Sequence, residues 1–253
     1  MWGFPRRRGI APPRARGAAA MSVTGVAWSA GRVKERIGYA AWIAGVVQFF
    51  VVHGIVQSAW TQPYSWAHNN ISDLGNALCA LQREPEPRFV CSPEHGLMNG
   101  SFVVLGTLLA VGFVLTGPLW RRGAAAGTAR VLSAAAGLGF VLVGLAPADT
   151  HENQHVLGAL LIMGLGNTGL VAAGAAGLSK DLPGGLRRAT GLLGAVALTA
   201  LALFLSHHYL GLGMGGMERV AALPVLLWAL VAGAYGLRPG PRPAPAPGRL
   251  TSG

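Results

Sequence analysis

LMNGSFVVLGTLLAVGFVLTG, residues 97–117, contains no Asp, Glu, Lys or Arg. Coiled as a helix at 1.5 Å per residue, a run of this length rises about 30 Å, the thickness of a bilayer's hydrocarbon core. Lipid offers no partner to a backbone N–H or C=O. A long apolar run in that solvent must therefore pair these groups within itself, as a helix does. Working outward, the same pattern recurs before and after it. The predicted spans are Gly38 to Ala59, Leu97 to Gly117, Arg130 to Pro147, Val156 to Leu178, Ala189 to Ser206 and Val220 to Leu237, with Arg130 the only charge among them. A transmembrane barrel would instead show strands of about ten residues alternating between apolar and polar positions. The expected fold is all-α, an integral membrane bundle of six transmembrane helices.

Composition agrees. Hydrophobic residues make up 52% of the chain and charged residues 11%, against about 25% charged in a typical soluble domain. Three regions follow: a basic, disordered tail over 1–36, the six-helix domain over 37–237, and a Pro-rich disordered tail over 238–253. Met21 offers a second start inside the first tail. The formal net charge of +11 would suggest nucleic acid in a soluble chain. Here no basic stretch is interleaved with aromatics as strand binding requires, and no nucleic-acid partner is expected.

The charges instead set orientation. The N-terminal tail, the loop with Arg121 and Arg122, the loop with Lys180, Arg187 and Arg188, and the C-terminal tail with Arg238 are all basic. The alternating loops carry Asp73, Glu84, Glu86 and Glu94, then Asp149 and Glu152, then Glu218. By the positive-inside rule both termini lie in the cytoplasm and the protein sits in the cell membrane.

This orientation sorts the polar residues. His68, His95, His151, His155, His207 and His208 fall in or beside the three outer loops, and His53 in the outer half of the first span. Asp149-Thr150-His151-Glu152-Asn153-Gln154-His155 places two histidines at i and i+4, one helix face apart by a turn, as metal chelation needs. The plain alternative is that Asp149 caps the helix and the histidines are interfacial. Asn69-Asn70-Ile71-Ser72-Asp73 offers a carboxylate among turn-forming side chains, and His208 and Glu218 flank the last outer loop. A shared ligand or metal site is therefore expected from Asp73, Asp149, His151, His155, His208 and Glu218. Cys79 and Cys91 share an outer loop, where oxidising conditions favour a disulfide. Only His53 is deep, so facing axial histidines for haem are lacking.

These residues also carry a resemblance. Asn70-Ile71-Ser72-Asp73-Leu74-Gly75, Asn99, Gly144-Leu145-Ala146-Pro147-Ala148-Asp149, His155-Val156-Leu157-Gly158, Glu218-Arg219, Pro224 and Trp228 resemble bacterial multi-pass membrane proteins of domain-of-unknown-function family 998. The likeness covers about residues 38–237. The family usually has a bulky residue where Ala146 stands, and the two cysteines are not part of its pattern. The resemblance implies a six-helix membrane fold and bacterial origin, and it implies no activity.

Two readings of function follow. In the first, a non-enzymatic membrane protein binds a lipid headgroup or small ligand in an outer polar pocket, with membrane lipid as partner and no cofactor. In the second, zinc bound there makes the chain a hydrolase of a lipid or amide at the outer leaflet, with Asp73 or Glu152 as base. A transporter is disfavoured, because no ionisable Asp, Glu, Lys or Arg lies mid-span. No oligomeric state is implied.

Overall fold

The computed structural model describes residues 23–83, 86–180 and 182–238. Of the tails expected over 1–36 and 238–253, residues 1–22 and 239–253 lie outside the described residues. Among the described residues seven helices are formed: α1 (Val23–Ser58), α2 (His95–Leu115), α3 (Ala124–Leu145), α4 (Glu152–Gly177), α5 (Gly184–Leu205), α6 (Gly213–Ala222) and α7 (Pro224–Gly236). The first five are each long and apolar enough to cross a membrane, and α6 and α7, bent by 40° at a short break, make a sixth candidate span.

The expected spans are helical, the sixth as the bent pair α6–α7 broken at Leu223, and the helices start before the apolar runs. Helix α1 reaches back to Val23, so the basic stretch 23–36 is helical and not part of a disordered tail. Nothing interrupts it, since no proline occurs from Val23 to Ser58, and Arg, Lys and Glu are good helix formers. Its 36 residues reach about 54 Å, well beyond a bilayer core.

The spans form a ring. Helix α1 packs on α2, α2 on α3, α3 on α4, α4 on α5 and α5 on α6, while α7 returns to α1. Between α2 and α3 the backbones touch. A Cβ on Gly106 would lie 2.3 Å from the Gly137 carbonyl, and one on Gly137 2.8 Å from that of Gly106. Trp42, Phe113, Trp120 and Trp228 fill the ring near the basic end, with Trp42 and Trp228 5.2 Å apart. Where lipid removes the hydrophobic drive between helices, small-residue contact and such dispersion packing hold them together.

Helix α4 is irregular. Its segments Leu161–Gly166 and Ala173–Gly177 are π-helical, and between them Asn167 is fully buried. Asn167 donates from Nδ2 to Met163 O and to Ala221 O, both at 2.8 Å. The second bond reaches the last turn of α6 beside the break, where Pro224 lacks the N–H that would continue the helix.

At the end of the bundle opposite the arginines the chain adds a small sheet. Strands β1 (Ala80–Gln82) and β2 (Arg88–Val90) pair antiparallel, Ala80 with Val90 and Gln82 with Arg88. Cys79 and Cys91, just outside the pair, are joined by a disulfide. We call this the hairpin end. The segment between α1 and β1 closes it, turning through a 3₁₀ stretch, Ser72–Gly75.

Candidate functional site

At the hairpin end two charged networks clamp one segment, residues 64–73. In the first, Arg88 grips Asp73 with both arms, Nε to Oδ2 at 2.8 Å and Nη2 to Oδ1 at 2.9 Å. A guanidinium fork matches a carboxylate in this way. Asp73 also accepts from Asn69 Nδ2 and from the Asn70 amide, each at 3.1 Å. The hairpin explains the position of Arg88, because β2 and the disulfide hold that strand over the 3₁₀ turn. Burial works against the Arg88 charge, but the hydrogen bond and charge of Asp73 outweigh it, and the guanidinium pKa is raised.

In the second network Arg219 of α6 enters from the other side. Its Nη1 donates to the carbonyls of Trp66, Asn69 and Gly215 at 2.9, 2.8 and 2.8 Å, and its Nη2 donates to the Tyr64 hydroxyl. The guanidinium also lies against the Trp66 ring, 4.8 Å from its centroid, and 5.6 Å from that of Tyr64. Tyr64 in turn donates to Asn70 O at 2.9 Å. Burial, partly opposed by Arg219, raises the Tyr64 pKa, so the hydroxyl stays a donor. Backbone contact makes this possible. Gly215 N donates to Ala67 O at 2.8 Å, and a Cβ on Gly215 would fall 2.1 Å from Asn69 O.

Glu218 completes the clamp, its Oε2 accepting the Ile71 amide at 2.6 Å. The consecutive amides of Asn70 and Ile71 are thus held by two different carboxylates, Asp73 and Glu218. Glu218 also faces a crevice of about 40 Å³. Ser72 and His155 share it, and its walls are otherwise apolar, Phe102, Phe140 and Ile162 among them. His155 Nδ1 lies 2.8 Å from Ala146 O. A carbonyl only accepts, so that nitrogen carries hydrogen.

The remaining expected site residues are held by other partners. Asp149 accepts the Leu78 amide through Oδ2 at 2.7 Å, tying the hairpin to the α3–α4 connection, and its buried Oδ1 has no hydrogen-bond partner. His151 is exposed ahead of α4, with Nδ1 3.0 Å from Thr150 Oγ1. His208 is exposed, with Nδ1 2.7 Å from Ser206 O. Among the described residues no three His, Cys, Asp or Glu side chains come together where they could hold a metal ion.

Sequence reasoning passed over Tyr64, Trp66, Arg88 and Asn167. Arg88 had a visible signal, as one of two arginines in a loop with four acidic residues. Tyr64 and Trp66 had none, because an aromatic pair in a loop reads as interfacial. His53 sits beneath them, 5.2 Å from the Trp66 ring, with neither ring nitrogen hydrogen-bonded.

A family described as "Protein of unknown function (DUF998)" has a sequence model that matches residues 43–235. The chain belongs to the DUF998 family. The match includes the whole clamp, the crevice and all the spans but the first turns of α1. No curated protein and no solved structure matches the chain. For this DUF998 member, then, function must be argued from the geometry of the hairpin end.

Proposed function

We propose that this DUF998 protein is a non-enzymatic binder of a membrane lipid, which places its polar headgroup at Glu218, Ser72 and His155 and its adjoining apolar portion between Phe102, Phe140 and Ile162. The observation that carries the reading is the division of labour at the hairpin end. Asp73, Arg88 and Arg219 are spent on one another and on backbone, whereas Glu218 keeps a face on an apolar crevice. A crevice of about 40 Å³ takes a few water-sized groups, which suits a small hydrogen-bond-donating head such as an amine or hydroxyl. The distribution of arginine supports an orientation with both termini in the cytoplasm and the hairpin end outside the cell membrane.

The test is lipid mass spectrometry on protein purified in mild detergent. Ala159 lines the crevice, and Ala159→Phe should fill it. The wild type should carry a stoichiometric lipid that Ala159→Phe and Glu218→Gln each lose, with melting temperatures little changed. Equal lipid content in all three proteins would end the proposal.

The zinc-hydrolase alternative draws on less. His155 and Glu218 share the crevice, but Asp73 is held by Arg88 and Glu152 is exposed on the first turn of α4. Elemental analysis of the same wild-type sample decides it: zinc near one per chain, lost in His155→Ala, would favour hydrolysis over simple binding.

A further inference from the structure

The opposite end of the bundle holds a second recess, of about 630 Å³, on which Arg121, Arg122 and Arg130 converge with Trp120, Gly123 and Gly127. Its walls are fixed by backbone pairing. Trp120 and Leu178 form an antiparallel bridge, Arg121 N donates to Gly177 O at 2.8 Å and Ser179 N to Leu119 O at 2.9 Å. The connection before α3 is thereby strapped to the end of α4.

Arginines at this end are expected from orientation alone, and Arg130 has a structural task, donating to Phe113 O and Val114 O at the end of α2. Orientation does not require the rest. Arg121 and Arg122 are exposed, and the lining holds no carboxylate among the described residues. Helix α3 starts at the recess with Gly123 as its N-cap, at φ +117° and with no side-chain cap bond. The N–H groups of its first turn are therefore open to an acceptor, and the helix dipole adds positive potential there. Trp120, only 6% exposed, keeps a buried indole N–H without an acceptor. The size is that of a ligand pocket, and it lies where the spans α2, α3, α4 and α5 all end.

We propose that this recess binds a phosphate ester, the head of an anionic phospholipid, through Arg121, Arg122 and the amides opening α3. The site is independent of the crevice at the hairpin end. Free glycerol phosphate presents the same chemistry, so the test separates the two sources.

The full chain in a neutral detergent is melted with short-chain phosphatidylglycerol, with phosphatidylcholine of equal chain length, and with glycerol 1-phosphate. Phosphatidylglycerol should raise the melting temperature by at least about 3 °C over phosphatidylcholine. A matching rise with glycerol 1-phosphate would show that the phosphate ester suffices, and its absence that the lipid is the ligand. Arg121→Ala/Arg122→Ala should weaken the response on the order of 30-fold in concentration, from the loss of two cations near the headgroup. Gly127→Glu gives an independent check. A Cβ at Gly127 meets nothing within 4 Å, and a carboxylate suits a helix N-terminus, so the variant should fold normally yet lose the response. Arg187→Ala/Arg188→Ala removes the same charge at the same end but outside the recess, and should keep it. Loss of response in this control equal to that in Arg121→Ala/Arg122→Ala would overturn the proposal. So would a wild type that answers neither phosphate compound, or a Gly127→Glu protein that answers like wild type.

Discussion

Arg219 is 7% exposed, and among the described residues no carboxylate is bonded to it. Its charge is instead spread over three carbonyls, a phenol and two aromatic rings. Removing such a group leaves those carbonyls unpaired, at about 1–3 kcal/mol for a buried polar group. Arg219→Ala should therefore lower stability by about 3 kcal/mol or more in denaturant titrations. Arg219→Lys should recover little, because an ammonium cannot fork to several carbonyls and lie flat on Trp66. A loss below about 0.5 kcal/mol in either variant would contradict this account of the clamp. Asp73 and Arg88 make a different case, a buried pair with side-chain exposures of 3% and 13%. Asp73→Asn and Arg88→Met should each destabilise by about 3–5 kcal/mol, and the double variant by clearly less than the sum, since each single variant strands the other's charge and the double strands none. Additive losses would show that the pair is not coupled. Asp73 and Glu218 could be picked from the sequence because acids beside apolar runs are conspicuous. Arg88 was visible too, but the backbone amides that Asp73 and Glu218 hold, and the carbonyls and tyrosine around Arg219, carry no mark in a sequence.

Helices were readable where hydropathy decides and misjudged where it does not. The apolar runs give the part of each span in hydrocarbon. Helices α1, α3, α5 and α6 begin earlier, at Val23, Ala124, Gly184 and Gly213, because Arg, Gly and Ala are acceptable in a helix once it leaves lipid. Strands β1 and β2 have three residues each, too few for alternation to show, so the hairpin that presents Arg88 was unpredicted. Its disulfide should be protected from maleimide in intact cells until a reductant is added, and ready labelling without reductant would show free thiols. The π segments of α4 also left no periodic trace. They bracket Asn167, whose bond to Ala221 O pins α4 to the α6–α7 break. Asn167→Ala should cost about 1–2 kcal/mol and speed proteolysis near Leu223, whereas an unchanged melting curve would mean that the break is held by packing alone.

Taken together, the ring of spans separates two chemistries. One end gathers Arg121, Arg122, Arg130 and Arg188, and the other carries the hairpin, Asp73, Asp149, Glu152 and Glu218. Among the described residues apolar length gives five crossings, and six with the bent pair α6–α7 counted as one, and the family model covers nearly all of them. The charge pattern that orients the bundle also underlies both proposed sites, since a headgroup crevice and a phosphate recess must face different leaflets. Six crossings with the hairpin end outside is thus the claim on which the others depend. It is tested by single cysteines at the exposed positions Gln62, Glu152, Leu210, Arg122 and Arg188, treated in intact cells with a thiol reagent that cannot cross the membrane. The account predicts labelling at Gln62, Glu152 and Leu210, and labelling at Arg122 and Arg188 only after the cells are opened. The reverse pattern, or two of the five positions on the wrong side, would contradict it.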